Sequence, residues 1–160
     1  MTDARAAVRD ALALAALTRD GLAWAVVARV ATLPADPTAT FAEQAGRGRI
    51  LQWRGGGWLL ALGAAAEATA DGPGRHVAMA EAVAGWQARC VVRAPNGPAD
   101  LPCLIHAIAF DDAPAGGAWS RLPGARLILP RRLWWREAHG TGWRIDAVAA
   151  RVSDDADTLV

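Results

Sequence analysis

Asp111 and Asp112 end the apolar run "LIHAIAF" and open a loop rich in Gly, Pro and Ala. Paired carboxylates are the residue type that binds a hard divalent cation or trades protons. In an extended chain, however, neighbouring side chains point to opposite faces. No third acid lies nearby, and aspartate is a common turn former. The pair therefore reads as a corner between two strands rather than a metal site. His106 lies mid-strand and is a general-base candidate. No serine or cysteine nucleophile motif accompanies it, so it reads as a histidine satisfied within the sheet. Cys90 and Cys103 do not form a CxxC pair, and His76, His106 and His139 are scattered, so zinc-ligand spacing is missing. The cysteines read as buried thiols. No catalytic, cofactor-binding or metal residue is assigned.

Two other stretches carry weaker chemistry. A phosphate loop at "RGGG" (54–57) requires a helix directly after it to offer free N–H groups, but a strand-like run follows. "PRRLWWRE" (130–137) mixes arginine with tryptophan as single-strand nucleic-acid surfaces do. The net charge of only +1 speaks against such a partner. A strand whose tryptophans fill a core or interface while its arginines reach solvent is the preferred reading.

These residues must be positioned by a chain of 160 residues, a length that suits one domain with a substantial core. The spacing predicts a helix over 2–21, a strand over 22–32 and a loop over 33–40. A hairpin follows over 49–63, with glycines at its turn. A second helix spans 72–90 with Val77, Ala80 or Glu81, Ala84 and Ala88 on related faces. A loop over 93–102, strands at 103–110 and 125–130, and further extended runs at 132–137 and 142–152 complete the pattern. Short turns between strands imply a mainly antiparallel sheet, so the expected class is α+β, with two or three helices packed on one face. Residues 1–152 are read as one partial domain and 153–160 as a tail or the start of a linker. The N-terminal run 11–17 is too short to span a bilayer and reads poorly as a signal peptide. The expectation is a cytoplasmic protein with no membrane and no nucleic-acid partner.

The order of the pieces is more informative than any one of them. "ILQWRGGGWLLALGAAAE" leads into "GRHVAMAEAVAGWQ". "LIHAIAFDD" follows, then Trp119 within "AWSRLPGARLILPRRLWWRE". This series resembles the N-terminal half of isochorismate synthases, members of the chorismate-utilising enzymes. Ala109-Phe110-Asp111, Trp119 and Leu129-Pro130 match the family pattern, whereas Ile105-His106-Ala107-Ile108 departs from its Gly-Gly-Phe. The resemblance covers roughly residues 22–150. It implies that Asp111 ends a core strand. It further implies the N-terminal half of the chorismate-utilising fold, within an enzyme that isomerises chorismate to isochorismate for menaquinone or siderophore synthesis.

The same resemblance implies a lysine base, a glutamate acid and Mg2+-binding glutamates, all in the C-terminal half of the longer enzyme. This sequence contains no lysine, and Glu43, Glu67, Glu81 and Glu137 fall in no matching motif. The chain is accordingly expected to be non-catalytic alone, to bind no Mg2+ by itself, and to partner a C-terminal chorismate-binding half. Such a half-protein is expected to expose an apolar sheet face lined by Trp53, Trp58, Trp119, Trp134 and Trp135. The alternatives are a non-catalytic docking module or remnant, and the N-terminal part of an anthranilate or aminodeoxychorismate synthase. The Leu-Leu-Glu-Ser-like segment of the latter is not found. A single-strand nucleic-acid binder built on "RRLWWR" is a weaker third.

Overall fold

The computed structural model describes residues 2–44, 48–98, 101–109, 117, 120, 122–138, 140 and 142–159. Its elements are α1 (Thr2–Ala15), β1 (Leu22–Val30), α2 (Pro37–Glu43), β2 (Arg49–Arg54), β3 (Gly57–Ala70), α3 (Arg75–Gln87), β4 (Cys90–Arg93), β5 (Ile105–Ile108), β6 (Ala125–Arg136) and β7 (Gly142–Arg151). The strands form a single sheet in the order β2-β3-β6-β7-β1-β4, with β5 on β6. Every pairing is antiparallel except β1 with β4. The class is thus α+β on an open, mostly antiparallel sheet.

The helices do not share one face. Ala23 and Ala25 of β1 pack against Ala7, Val8, Ala11 and Ala15 of α1. Trp24, Val26 and Ala28 of the same strand join Met79 and Trp86 of α3. Successive strand residues point to opposite sides, so α1 and α3 cover opposite faces. Small residues on both sides of the α1 contact let its backbone lie close to the sheet. On α3 the buried stripe is Arg75, Met79 and Trp86, with Ala82 and Val83 beside it, while Val77 is exposed. The expected stripe was the wrong one. Apolar residues occur all around this helix, and the bulkiest ones take the core.

Other boundaries moved for local reasons. Helix α1 ends at Ala15, where the Thr18 hydroxyl donates to the Ala15 carbonyl (2.8 Å) and competes with helix continuation. The expected loop at 33–40 contains the start of α2. Asp36 caps it by accepting from the Thr38 and Ala39 amides, and Pro37 occupies the first turn, a legible start signal. Gly55 and Gly56 make the hairpin turn with φ of +49° and +89°, which L-residues resist. Strand β3 continues to Ala70 through "AAAEATA", a run of good helix formers. Pairing with β6 along its whole length overrides that propensity. β6 likewise runs unbroken through Pro130. That residue lies between the β5 partners, which end at Ile128, and the β7 partners, which begin at Arg132. Opposite it, the β3 ladder is irregular, a position that tolerates a missing N–H.

β5 is a short edge strand rather than a buried one, and its His106 and Ala107 are exposed. The tail residues Ala156 and Leu159 pack on the α1 cluster. No helix among the described residues is long and apolar enough to cross a membrane.

Candidate functional site

Sheet register assembles a charged group that sequence spacing does not reveal. On the face that α1 partly covers, Arg144 and Asp146 are two residues apart on β7 and so project together. Arg132 of β6 lies opposite Asp146, and Arg29 of β1 opposite Arg144. The Asp146 carboxylate accepts from Arg132 Nε at 2.8 Å and from Arg144 Nε at 2.7 Å. Arg29 stands 3.8 Å away. Arg132 also lies over the Trp134 ring, 5.7 Å from its centroid. Among the described residues, the three guanidiniums share this one carboxylate. Arg132 was expected in solvent, but Arg29, Arg144 and Asp146 were not singled out; only the strand pairing unites them.

A second group surrounds Trp24. Its ring packs on Trp86, with centroids 5.9 Å apart and planes tilted by 52°. Arg89 sits 5.1 Å above it and donates to Asp20 at 2.7 Å. That hydrogen bond holds the Asp20 carboxyl below its ordinary value. Cys90 pairs with Trp24 in register, and burial pushes its thiol up to about 11. A thiol so disfavoured as thiolate is a poor nucleophile at neutral pH, and Trp24, Trp86 and Cys90 pack together in the main core.

The third group ties Gly72, Ala109 and Gly124 together. Arg75 is 2% exposed and donates to the carbonyls of Gly72 (3.0 Å) and Ala109 (2.9 Å). The Ala109 amide donates to the Gly124 carbonyl (2.7 Å), and the Gly124 amide to Asp71 Oδ1 (2.6 Å). The chain therefore leaves and rejoins the sheet at one anchored point. Phe110, Asp111, Asp112, Trp119 and His139 lie outside the described residues.

The tryptophans expected to line one apolar face are divided. Trp58 is 3% exposed and Trp53 is 62% exposed, and the two pair across the hairpin. Trp134 shares their face, whereas Trp135 belongs to the α3 side. A cleft of about 300 Å³ between Gly48, Arg49, Gly63, Glu67, Arg126 and Ile128 reaches only the lower end of ligand-pocket sizes. Its Glu67 and Arg126 charges are paired with each other at 2.9 Å. Among the described residues, no three His, Cys, Asp or Glu side chains cluster as metal ligands.

The chain matches no family model, no curated protein and no solved structure.

Proposed function

We propose that this chain is the N-terminal, non-catalytic portion of an isochorismate synthase and completes a C-terminal chorismate-binding half. The observation that carries the reading is the ordered series of segments from the tryptophan hairpin to the Leu129-Pro130 strand. The hairpin's return strand β3 and the "LIHAI" strand β5 both pair with β6, which holds Leu127, Leu129 and Leu133 in the main core. Chemistry also supports a division of labour. A lysine base cannot come from a sequence without lysine. Glu43, Glu67, Glu81 and Glu137 stand on or beside four different elements, with Glu67 engaged by Arg126. They do not fit a Mg2+ site, so no step through that ion is assigned to this chain.

The test is an isochorismate assay with chorismate and Mg2+, run on this chain, on a separately expressed C-terminal half from the same genome, and on their mixture. Activity only in the mixture, or a large gain there over the C-terminal half alone, is the expected result. Activity from this chain alone overturns the reading.

A further inference from the structure

We propose that the outer edge of β2 is an interface at which two copies of this chain pair, β2 antiparallel to β2, into one continuous sheet across a two-fold axis. This is independent of the function proposed above. It starts from hydrogen-bond parity. Gly55 and Gly56 form the two-residue hairpin turn, and Arg54 stands opposite Gly57. Arg54, Gln52 and Ile50 are therefore the residues that exchange hydrogen bonds with β3. The Gly63 amide donates to the Gly48 carbonyl at 2.6 Å, which fixes the same parity at the other end. The N–H and C=O groups of Arg49, Leu51 and Trp53 consequently point away from β3. β2 ends the sheet, and among the described residues these outward groups have no hydrogen-bond partner.

The strand itself selects the occupant. The other edge strands, β4 and β5, have four residues each, the short form that blunts an edge, and Arg93 at the end of β4 is ion-paired with Asp10. β2 has six residues, no proline, and a ladder to β3 without a bulge. A two-fold axis at Leu51 sets this residue opposite its own copy, and Arg49 opposite the second copy's Trp53. All three outward residues of each strand are then paired, through about six new main-chain hydrogen bonds. An axis at Ile50 or Gln52 pairs only two of the three. Opposed residues share a face, so the Leu51 register lays Trp53, which is 62% exposed, against the other copy's Arg49. That arginine is already held in place. It donates to the Phe41 and Ala42 carbonyls at 2.7 and 3.1 Å and stands 4.4 Å from the centroid of the Phe41 ring. A guanidinium is planar, so its opposite face accepts an indole. The strand thus complements itself in backbone and side chains, under a symmetry that closes at two copies.

Sedimentation equilibrium of the chain between about 1 and about 200 μM reads the association, and a monomer–dimer equilibrium is the expected result. Amide hydrogen exchange reads its place without any substitution: the Leu51 and Trp53 amides should slow by about tenfold or more where the dimer is populated. Trp53→Lys sets a like charge opposite Arg49. Trp53→Pro removes an N–H that the β3 ladder does not use. Each is expected to raise the dimer dissociation constant by about tenfold or more. Val77→Lys makes the lysine substitution at an α3 residue of similar exposure, 63%, and should change it by less than about twofold. Thermal melts at low concentration verify that each variant is folded. A chain that stays monomeric throughout the range overturns the proposal. So does a dimer whose Leu51 and Trp53 amides exchange at the monomer's rate, or one that both Trp53 variants form as tightly as the wild type. Open-ended polymers overturn it as well, because the two-fold contact consumes the β2 edge of both copies.

Discussion

Arg75 and Arg126 offer a controlled comparison, because the same side chain is placed in two environments. Arg75 is 2% exposed and serves two backbone carbonyls, Gly72 and Ala109. Arg126 serves one carboxylate, Glu67, with both side chains about two-fifths exposed. Arg75→Ala leaves both carbonyls short of a donor in a site with little water. Hydrogen bonds to a charged group are worth about 1.5–3 kcal/mol each, so the expected loss is about 3–5 kcal/mol. Arg126→Ala removes a half-exposed ion pair, worth about 1 kcal/mol or less. In urea melts the midpoints should separate accordingly at unchanged slope. For a domain of this size the melting temperature should fall by roughly 10 °C for Arg75→Ala and by about 3 °C or less for Arg126→Ala. Arg75→Met, which restores apolar volume but not the donors, should recover only a minor part. Hydrogen exchange at the Ala109 amide should accelerate in both Arg75 variants, since its bond to Gly124 belongs to the same anchor. Equal costs for the Arg75 and Arg126 alanine variants, or full recovery by methionine, would refute the reasoning.

Asp36→Ala removes the acceptor for two amides at the start of a seven-residue helix; it should cost about 1 kcal/mol, read by urea denaturation. Gly57→Ala places a methyl group against the backbone of Arg136 and Glu137, which cannot yield without parting β3 from β6. It should destabilise by about 2 kcal/mol or more. Gly74→Ala meets nothing at an ordinary φ of −81°, and should be neutral or stabilise by up to about 1 kcal/mol. Desolvation pushes the half-buried Cys90 thiol up to about 11 from an ordinary 9.0. The unfolded chain therefore holds fewer protons between these values. Stability is fully present below pH 9 and is lost as pH rises through 11. Substituting Cys90 by Ala should flatten that decline in melts taken across the window, and a decline of unchanged steepness would assign it to other groups.

Local signals in the sequence named most of the elements. The hairpin was legible because paired glycines supply a turn that other residues resist. α1 and β1 were legible because apolar residues recur with helical or extended spacing. Asp36-Pro37 was an equally clear helix start, overlooked because two prolines suggested a loop. The alanine run of β3 was not legible, since alanine has no pattern and the strand exists only because β6 lies beside it. The buried face of α3 was misread for a related reason, because its apolar residues occur all around the helix and only the sheet chooses among them.

From its sequence alone the protein is an α+β chain of near-neutral charge and without lysine. These properties follow from residue identity and from rules that act over a few neighbouring positions. Tertiary structure decided that β4 pairs parallel to β1, that α1 and α3 take opposite faces, and that Arg75 is buried against the carbonyls of Gly72 and Ala109. It also decided that Arg29, Arg132 and Arg144 share one aspartate. Arg29 and Arg144 are separated by more than a hundred positions along the chain, and strand register is what places them opposite each other. A charge cluster built across three strands has no signature in any one of them.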